Sequence, residues 1–408
     1  METVETEYCI VGGGPAGLTL ALLLVRSGHQ VLLVERTGSL NREYRGEILQ
    51  PGVLSILDQL DVLEGARLRG CYELPRFQLV ENDKVHMDID YTRLGGPHNY
   101  LLSMPQGHLL AEVLAKCSAF PNFKYLPNTS VVGLLGDGSE VTGVRTRGRD
   151  GGEAAIKSDW VVGADGRHSR TRRLADIGYT RLDVFEHDVV WFKLSLPHDQ
   201  DQAGVRVFRA GGNPVLAYDS FPEALQFGWT SPHKRYRSIA EKGLDHVKEQ
   251  LTLAIPPYAR FIEEQIHSLD SLTLLDVFGG LAGDWVRDGL VLIGDSAHTH
   301  PPIGAQGINL AIQDAVLLHP ALLSARKHGG GKREALARFQ SERRADVGRV
   351  LKLQERQARA MLSQSRVGSF VRPKLAPLFS RSPLAMKMTR TLAFGPRPVE
   401  LEPALFVA

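Results

Sequence analysis

The chain has 408 residues, 43% of them apolar and 23% charged, with a formal charge of +2. This length exceeds one ordinary core and predicts two or more domains, and the composition excludes a disordered chain. Near-neutral charge removes any whole-chain case for nucleic acid, and three widely spaced cysteines (Cys9, Cys71, Cys117) argue against a disulfide framework and for a reducing cytoplasm.

No apolar run reads as long enough to cross a bilayer. METVETEY lacks the basic start of a secretory signal. Tyr8 to Val11 reads as a short strand. It runs into Gly12-Gly13-Gly14-Pro15-Ala16-Gly17, a GxGxxG set at Gly12, Gly14 and Gly17, and then a helix through LTLALLLVRSG. A second strand, QVLLVE, ends on Glu35, 21 residues past Gly14. In that context the first glycine makes a tight turn, the second admits a pyrophosphate and the third lets helix pack on strand. The helix N-terminus suits phosphates, and Glu35 suits ribose hydroxyls.

RGEILQPGVLSILDQLDVL places Arg45 before a helix that starts near Pro51. That arginine reads equally as a phosphate or flavin contact and as a solvated side chain. Residues 71–102 read as short strands with turns, the first sign of an antiparallel sheet inserted in an α/β frame. Gln106 starts a helix, and 124–162 returns to strands with hairpin-like GDGSE and RDGGE turns.

SDWVVGADGRHSRTRR follows at 158–173. A strand ends at Gly163, and Asp165, Ser169 and Arg172 come after it. Asp165 is a second carboxylate beyond a strand end, suited to a ribose or nicotinamide; the plainer alternative is a helix N-cap by Asp165 or Ser169 with basic surface residues.

Residues 183–235 alternate as strands of a half-buried sheet. Its bulky members Trp191, Phe208, Tyr218, Phe227 and Trp229 are candidates for walling a flat apolar pocket, against the plainer reading of core. Residues 239–265 read as helical and 271–278 as a strand.

GLVLIGDSAHTHPPIGAQGINLAIQDA, at 289–315, is a strand, a carboxylate (Asp295), a turn forced by Pro301 and Pro302, two glycines (Gly304, Gly307) and a helix from Gln306. Strand end, carboxylate and helix N-terminus together form a site for a ligand that is anionic at one end and hydroxylated elsewhere. His298-Thr299-His300 lacks a companion Cys or acid set and is not read as a metal site. No GxSxG elbow or GxxxxGK[ST] loop is present.

From Lys332 the chain reads as helices. Arg349 onward holds eleven Lys/Arg against three Asp/Glu, a solvated face or, more sharply, a peripheral membrane contact; there is no transmembrane segment in this reading. The apolar end, ALFVA, is expected to dock on the body.

GxGxxG with Glu35, GADG with Ser169 and Arg172, and GDSAH…PP.GAQGINLA occur in order. Together they resemble the flavin-dependent aromatic hydroxylases of the p-hydroxybenzoate hydroxylase type, over residues 5 to about 345. The resemblance implies an α/β and α+β architecture: a Rossmann-like FAD-binding domain (1–70, 97–180 and 266–345) with an inserted, mostly antiparallel β-sheet substrate domain (71–96 and 181–265). A C-terminal helical region (346–408) completes it.

The implied cofactor is FAD, with NADPH or NADH as transient reductant. Gly12, Gly14, Ala16 and Gly17 would hold the pyrophosphate, and Glu35, with Arg36 beside it, the adenosine ribose. Arg45 and Gln106 would contact the diphosphate–ribityl part, and Val131 the adenine. Asp165 belongs to the motif tied to FAD and nicotinamide. Asp295 would bind the ribityl chain and Pro302 would lie by the isoalloxazine. The backbone at Gly307, Ile308 and Asn309 would hold its pyrimidine end, with Gly304 a cofactor-binding residue in the turn before them.

The implied reaction is hydroxylation of an aromatic or polycyclic small molecule through a flavin hydroperoxide. Epoxidation, Baeyer–Villiger insertion and reduction are alternatives on the same fold, and a non-catalytic flavin protein is the remaining one. Alignment places Phe221 where the prototype has a carboxylate-binding arginine. A simple benzoate is therefore not expected; a polyketide, alkaloid or quinone precursor is. Phe221 joins the aromatics above as a substrate-lining candidate.

Overall fold

The computed structural model describes residues 2–40, 47–82, 84–182, 185, 187–198, 203–210, 213–327, 332–362 and 374–407. Four strand ends in it meet along one edge of a parallel sheet. Leu290–Leu292, Glu153–Gly163, Glu2–Val11 and Val31–Val34 lie side by side in that order, and Phe123–Leu126 follows. The register sets Val11 opposite both Gly163 and Val34, and Gly163 opposite Leu292. The loops leaving those strands carry Gly12, Glu35, Asp165 and Asp295. Sequence motifs up to 283 residues apart therefore share one edge, where open parallel sheets bind ligands.

The strands read as near-continuous apolar runs because both faces are covered. Helix Pro15–Arg26 is buried along almost its whole length against Gln306–Lys327 and Gln106–Ser118. Gln306–Lys327 departs from the expectation that no apolar segment could span a bilayer. Residues Ile303–Arg326 have the length for it and contain an 18-residue window of mean hydropathy 1.3, but 67% of that window is buried inside the protein. Its polar members are satisfied internally: Asn309, Asp314 and His319 all hydrogen-bond to other elements. The segment is used as a core helix, which accounts for its apolarity.

The second sheet has seven strands in the order Thr273–Leu275, His187–Ser195, Ala224–Pro232, Val215–Ser220, Val205–Arg209, Arg76–Glu81, Lys84–Asp90. All neighbours are antiparallel except Val205–Arg209 with Arg76–Glu81. Two details differ from the expected limits. Thr273–Leu275 forms an edge of this sheet, beyond residue 265. Tyr72–Leu74 instead pairs with Leu101–Ser103 in a small three-stranded sheet with Ile48–Leu49.

The sheet alternates as its period dictates. One face carries Val190, Phe192, Phe227 and Trp229 and is covered by Leu244–Ala254 and Ala259–Gln265. The other carries Trp191, Tyr218 and Leu216 and looks toward the first sheet's edge. The chain end docks on the body: Val407 N–H donates to Arg26 O at 2.9 Å, and the Arg26 guanidinium lies 4.8 Å from the Phe406 ring.

Candidate functional site

A cleft of about 800 Å³ runs between the parallel edge and the seven-stranded sheet. At one end it is lined by Gly12, Gly14, Ala16, Glu35, Arg36 and Val131; at the other by Trp191, Leu216 and Tyr218. Gln106, Asp165, Asp295, His300, Pro302, Gly307 and Ile308 line the stretch between. Arg45 lies outside the described residues.

The glycine turn is constrained by backbone. Gly12 has φ +112°, and a Cβ there would stand 2.4 Å from Ala164 O. A Cβ on Gly17 would stand 2.0 Å from Gly12 O. Gly17 therefore shapes the turn from behind rather than lining the cleft. The helix that follows has Pro15 at its start, no side-chain cap and no acid in its first turn. Its unpaired N–H groups and positive end face the cleft uncompensated, as an anionic diphosphate requires.

Glu35 is buried. Its Oε2 accepts from Gly13 N at 2.7 Å, and its Oε1 from Thr37 N and Thr37 Oγ1, both at 2.9 Å. The carboxylate also lines the cleft.

Asp165 is committed differently. Its carboxylate accepts from Ser169 Oγ, Ser296 Oγ, Arg170 N, Thr171 N and Thr171 Oγ1. It borders the cleft but spends its oxygens on ordering the short helix Arg170–Leu174. Ser169 caps that helix by accepting from Arg172 N. Arg172 Nη1 donates to Ser296 O at 2.7 Å, and Gly166 N donates to Ser296 Oγ at 3.0 Å, so the GADG and GDSAH segments are locked together.

Asp295 is the less committed carboxylate. Its side chain is 28% exposed, and Arg167 Nε stands 3.7 Å from Oδ2. Past it, Gly304 takes φ +69° and its carbonyl accepts from Gln50 Nε2 at 3.0 Å. Asn309 points its amide away from the cleft, accepting from Gln50 N at 2.8 Å and donating to Ile48 O at 3.2 Å. It clamps the 48–50 segment to the long helix, whose first turn again holds no acid.

Of the six aromatic candidates, Trp191 and Tyr218 line the cleft. Phe227 and Trp229 project from the opposite sheet face into the core, where Phe227 stacks on Phe192 at 5.1 Å. Phe208 joins that core beside Tyr258, at 5.8 Å. Phe221 packs between Tyr72 and His108 and against Gly70, away from the cleft lining.

The sequence reading missed a polar cluster under Tyr218. Glu47, which lines the cleft, accepts from Lys193 Nζ (3.1 Å) and Ser220 Oγ (2.8 Å). Gln226, oriented as its neighbours demand, donates to both Glu47 oxygens and accepts from the Tyr218 hydroxyl at 2.9 Å. Burial first, and the Glu47 charge second, push the Tyr218 hydroxyl well above its ordinary pKa. It is a neutral phenol whose free lone pair can accept from a ligand donor. Lys193, Ser220 and Gln226 share the parity of Trp191 and Tyr218, so strand alternation was the available signal.

Arg167, Arg170 and Arg173 also line the cleft and went unassigned in the sequence. They add positive charge to its lining.

A parallel sheet whose edge presents a glycine turn, a buried carboxylate and a second helix start without an acid in its first turn, opposite a sheet face bearing Trp191 and Tyr218, has the architecture of a dinucleotide-binding flavoprotein. The chain belongs to the FAD-binding family: the profile described as "FAD binding domain" matches residues 5–354. It is an FAD-dependent monooxygenase of the aromatic-hydroxylase type, using NAD(P)H as reductant. It is 51% identical over 402 residues to 6-methylpretetramide 4-monooxygenase of Streptomyces rimosus, covering 98% of this chain and 95% of that protein. It is 26% identical to the 12-dehydrotetracycline 5-monooxygenase/anhydrotetracycline 6-monooxygenase of the same species, over 86% of this chain and 69% of that one. Among solved structures, p-nitrophenol 4-monooxygenase PnpA of Pseudomonas putida DLL-E4 shares the fold with TM-score 0.80 at 19% identity, covering 97% of this chain and all of that one.

Proposed function

We propose that this chain hydroxylates a polycyclic aromatic polyketide, with FAD lying along the cleft from the glycine turn to the 300–311 wall. The observation that carries it is the cleft's continuity. One space joins Gly12 and Glu35 to Trp191 and Tyr218, with Asp295 and Pro302 between. The 51% identity to 6-methylpretetramide 4-monooxygenase supports the substrate class.

In this reading Gly12, Gly14 and Ala16 hold the diphosphate, with Gly17 shaping the turn behind them, while Glu35 and Arg36 face the adenosine ribose. Gln106, Val131, Asp165 and Asp295 border the adenosine-to-ribityl course, and Pro302, Gly304, Gly307, Ile308 and Asn309 the ring system. Bound FAD supplies hydride acceptance from NAD(P)H and activation of dioxygen. The chain's own contribution is placement and shielding. The two helix starts, neither with an acid in its first turn, face negative charge, Trp191 and Leu216 exclude water, and Tyr218 accepts from a substrate hydroxyl. The three cysteines, all free thiols, fit a reducing cytoplasm.

The test incubates FAD-loaded protein with NADPH or NADH, dioxygen and 6-methylpretetramide. Substrate-stimulated NAD(P)H oxidation with a product heavier by one oxygen, traced from labelled dioxygen, is the expected result. A product heavier by two hydrogens would make it a reductase. Absence of any turnover with this and simpler polyketides would sink the substrate class.

A further inference from the structure

The HxH pair that sequence alone leaves idle sits in a closed hydrogen-bond chain beneath the cleft wall. His300 lines the cleft next to Pro301 and Pro302. Its Nδ1 lies 2.9 Å from Gln354 Oε1, and its Nε2 lies 3.2 Å from His298 Nδ1. His298 Nε2 lies 2.7 Å from Asp314 Oδ2. Both rings, Asp314 and Gln354 are buried.

Both ends of this chain are acceptors. Gln354 Nε2 donates to Pro301 O and Ile303 O, so its Oε1 must face His300. Asp314 accepts from Arg343 Nε at 2.6 Å and Gly294 N at 2.7 Å as well as from His298, and its partners hold its carboxyl well below the usual range. It is ionised. Three hydrogen bonds between two acceptor ends need three protons, and two neutral imidazoles supply only two. A neutral pair would leave lone pair facing lone pair at one of the three contacts. Burial, with the His298 charge second, pushes His300 down to about 3, which puts the third proton on His298. The Trp285 ring lies against His298, with centroids 5.2 Å apart.

The charge count follows. Asp314 carries −1, Arg343 +1 and the pair +1, a net +1 in a buried site. The other acids around the cleft and helix are engaged elsewhere: Asp346 with Arg349 and Arg397, Asp165 with its loop, Asp295 with Arg167. Among the described residues, no carboxylate besides Asp314 bonds to either ring. An uncompensated buried charge is unfavourable unless an anion comes to it. Bound FAD that had taken up a hydride would carry one added negative charge.

We infer that the His298–His300 pair is a buried imidazolium that positions charge against the reduced cofactor and sets its reduction potential. The inference rests on the reading that the 300–311 wall holds the flavin ring. His298 and His300 are positioning residues here, His298 acting through His300 and the field across the wall.

Neutron diffraction from FAD-loaded, deuterium-exchanged protein tests the count. Three deuterons on the four ring nitrogens are expected; two would overturn the inference. The same map locates FAD, so a misplaced cofactor and a missing proton are told apart. Potentials of the bound FAD test the consequence. H300Q keeps an acceptor toward His298 Nδ1 and a donor toward Gln354, so it retains the charge and should stay within twofold of the wild-type preference for reduced over oxidised FAD. The double variant H298Q/H300Q removes both imidazoles, and with them the charge, and should lose that preference about tenfold, about 30 mV for a two-electron couple. Equal potentials in all three proteins would overturn it. Should the double variant fail to fold, the wild-type deuteron count and a shift in H300Q beyond twofold remain decisive.

Discussion

Trp191 stands directly opposite Gly228 on the neighbouring antiparallel strand, and a Cβ on Gly228 would lie 2.8 Å from the indole. The missing side chain is the space in which the ring lies flat against its sheet. Gly228→Ala should therefore tip Trp191 toward the cleft, at an overpacking cost of about 1–3 kcal/mol. We expect KM for the substrate to rise about tenfold with FAD content unchanged. Loss of FAD in step with substrate affinity would show that Trp191 does not separate the two halves of the cleft.

That pair also shows where the sequence was legible and where it was not. The glycine turn, Glu35, Asp165 and Asp295 were readable because each sits at the end of an apolar run and carries its own local signature. The parallel edge that unites them follows from the fold class. The substrate wall was not readable in the same way. Trp191, Phe227 and Trp229 are all bulky residues on apolar strands, and a shift of one residue exchanges the two faces. Only the register, Trp191 against Gly228 and Phe192 against Phe227, decides which aromatic meets the cleft. Asn309 shows a different failure: its place in the motif was plain, but the partner of its amide, the Ile48–Gln50 segment, lies about 260 residues away.

Gly12→Ala is predicted to abolish cofactor retention. Positive φ penalises any side chain, and here the added atom meets the backbone of Ala164, which cannot swing aside. The collision moves the turn away from Ala164 and Asp165 and so opens the cradle. Purified protein should lack the visible flavin absorbance and melt lower than wild type. A variant that keeps stoichiometric FAD would remove the glycine turn from the binding site.

Lys193→Met tests the polar cluster under Tyr218. The change strips the cation from buried Glu47 and leaves the carboxylate with Ser220 and Gln226. Removing one partner of a buried pair costs about 3–5 kcal/mol when the survivor stays charged. Lys193 is one-third exposed, so solvent screens the pair and the loss should fall below that range. Activity should fall more than stability, because Glu47 orients Gln226 and through it Tyr218. The double variant Lys193→Met/Glu47→Gln should recover stability. If it also recovers full activity, the cluster is structural and Tyr218 needs no orientation from it.

His319 gives the fold a defined acid limit. Its Nε2 meets Ser27 Oγ at 2.8 Å, and that hydroxyl already donates to Leu23 O at 3.0 Å. The imidazole must therefore be the donor, in its neutral Nε2–H form. Burial, with the His29 charge second, lowers its pKa from 6.5 to about 4. Below pH 6.5 the unfolded chain takes up a proton that the folded chain refuses, so stability falls as the pH drops toward 4 and levels off below it for this group. The slope is about 1.4 kcal/mol per pH unit for one such residue. His319→Gln keeps a donor toward Ser27 and removes the titration. Its unfolding free energy, measured by denaturant between pH 7 and 4.5, should decline less steeply than that of wild type by about that amount. Parallel curves for the two proteins would mean that His319 titrates alike in both states and is open to solvent.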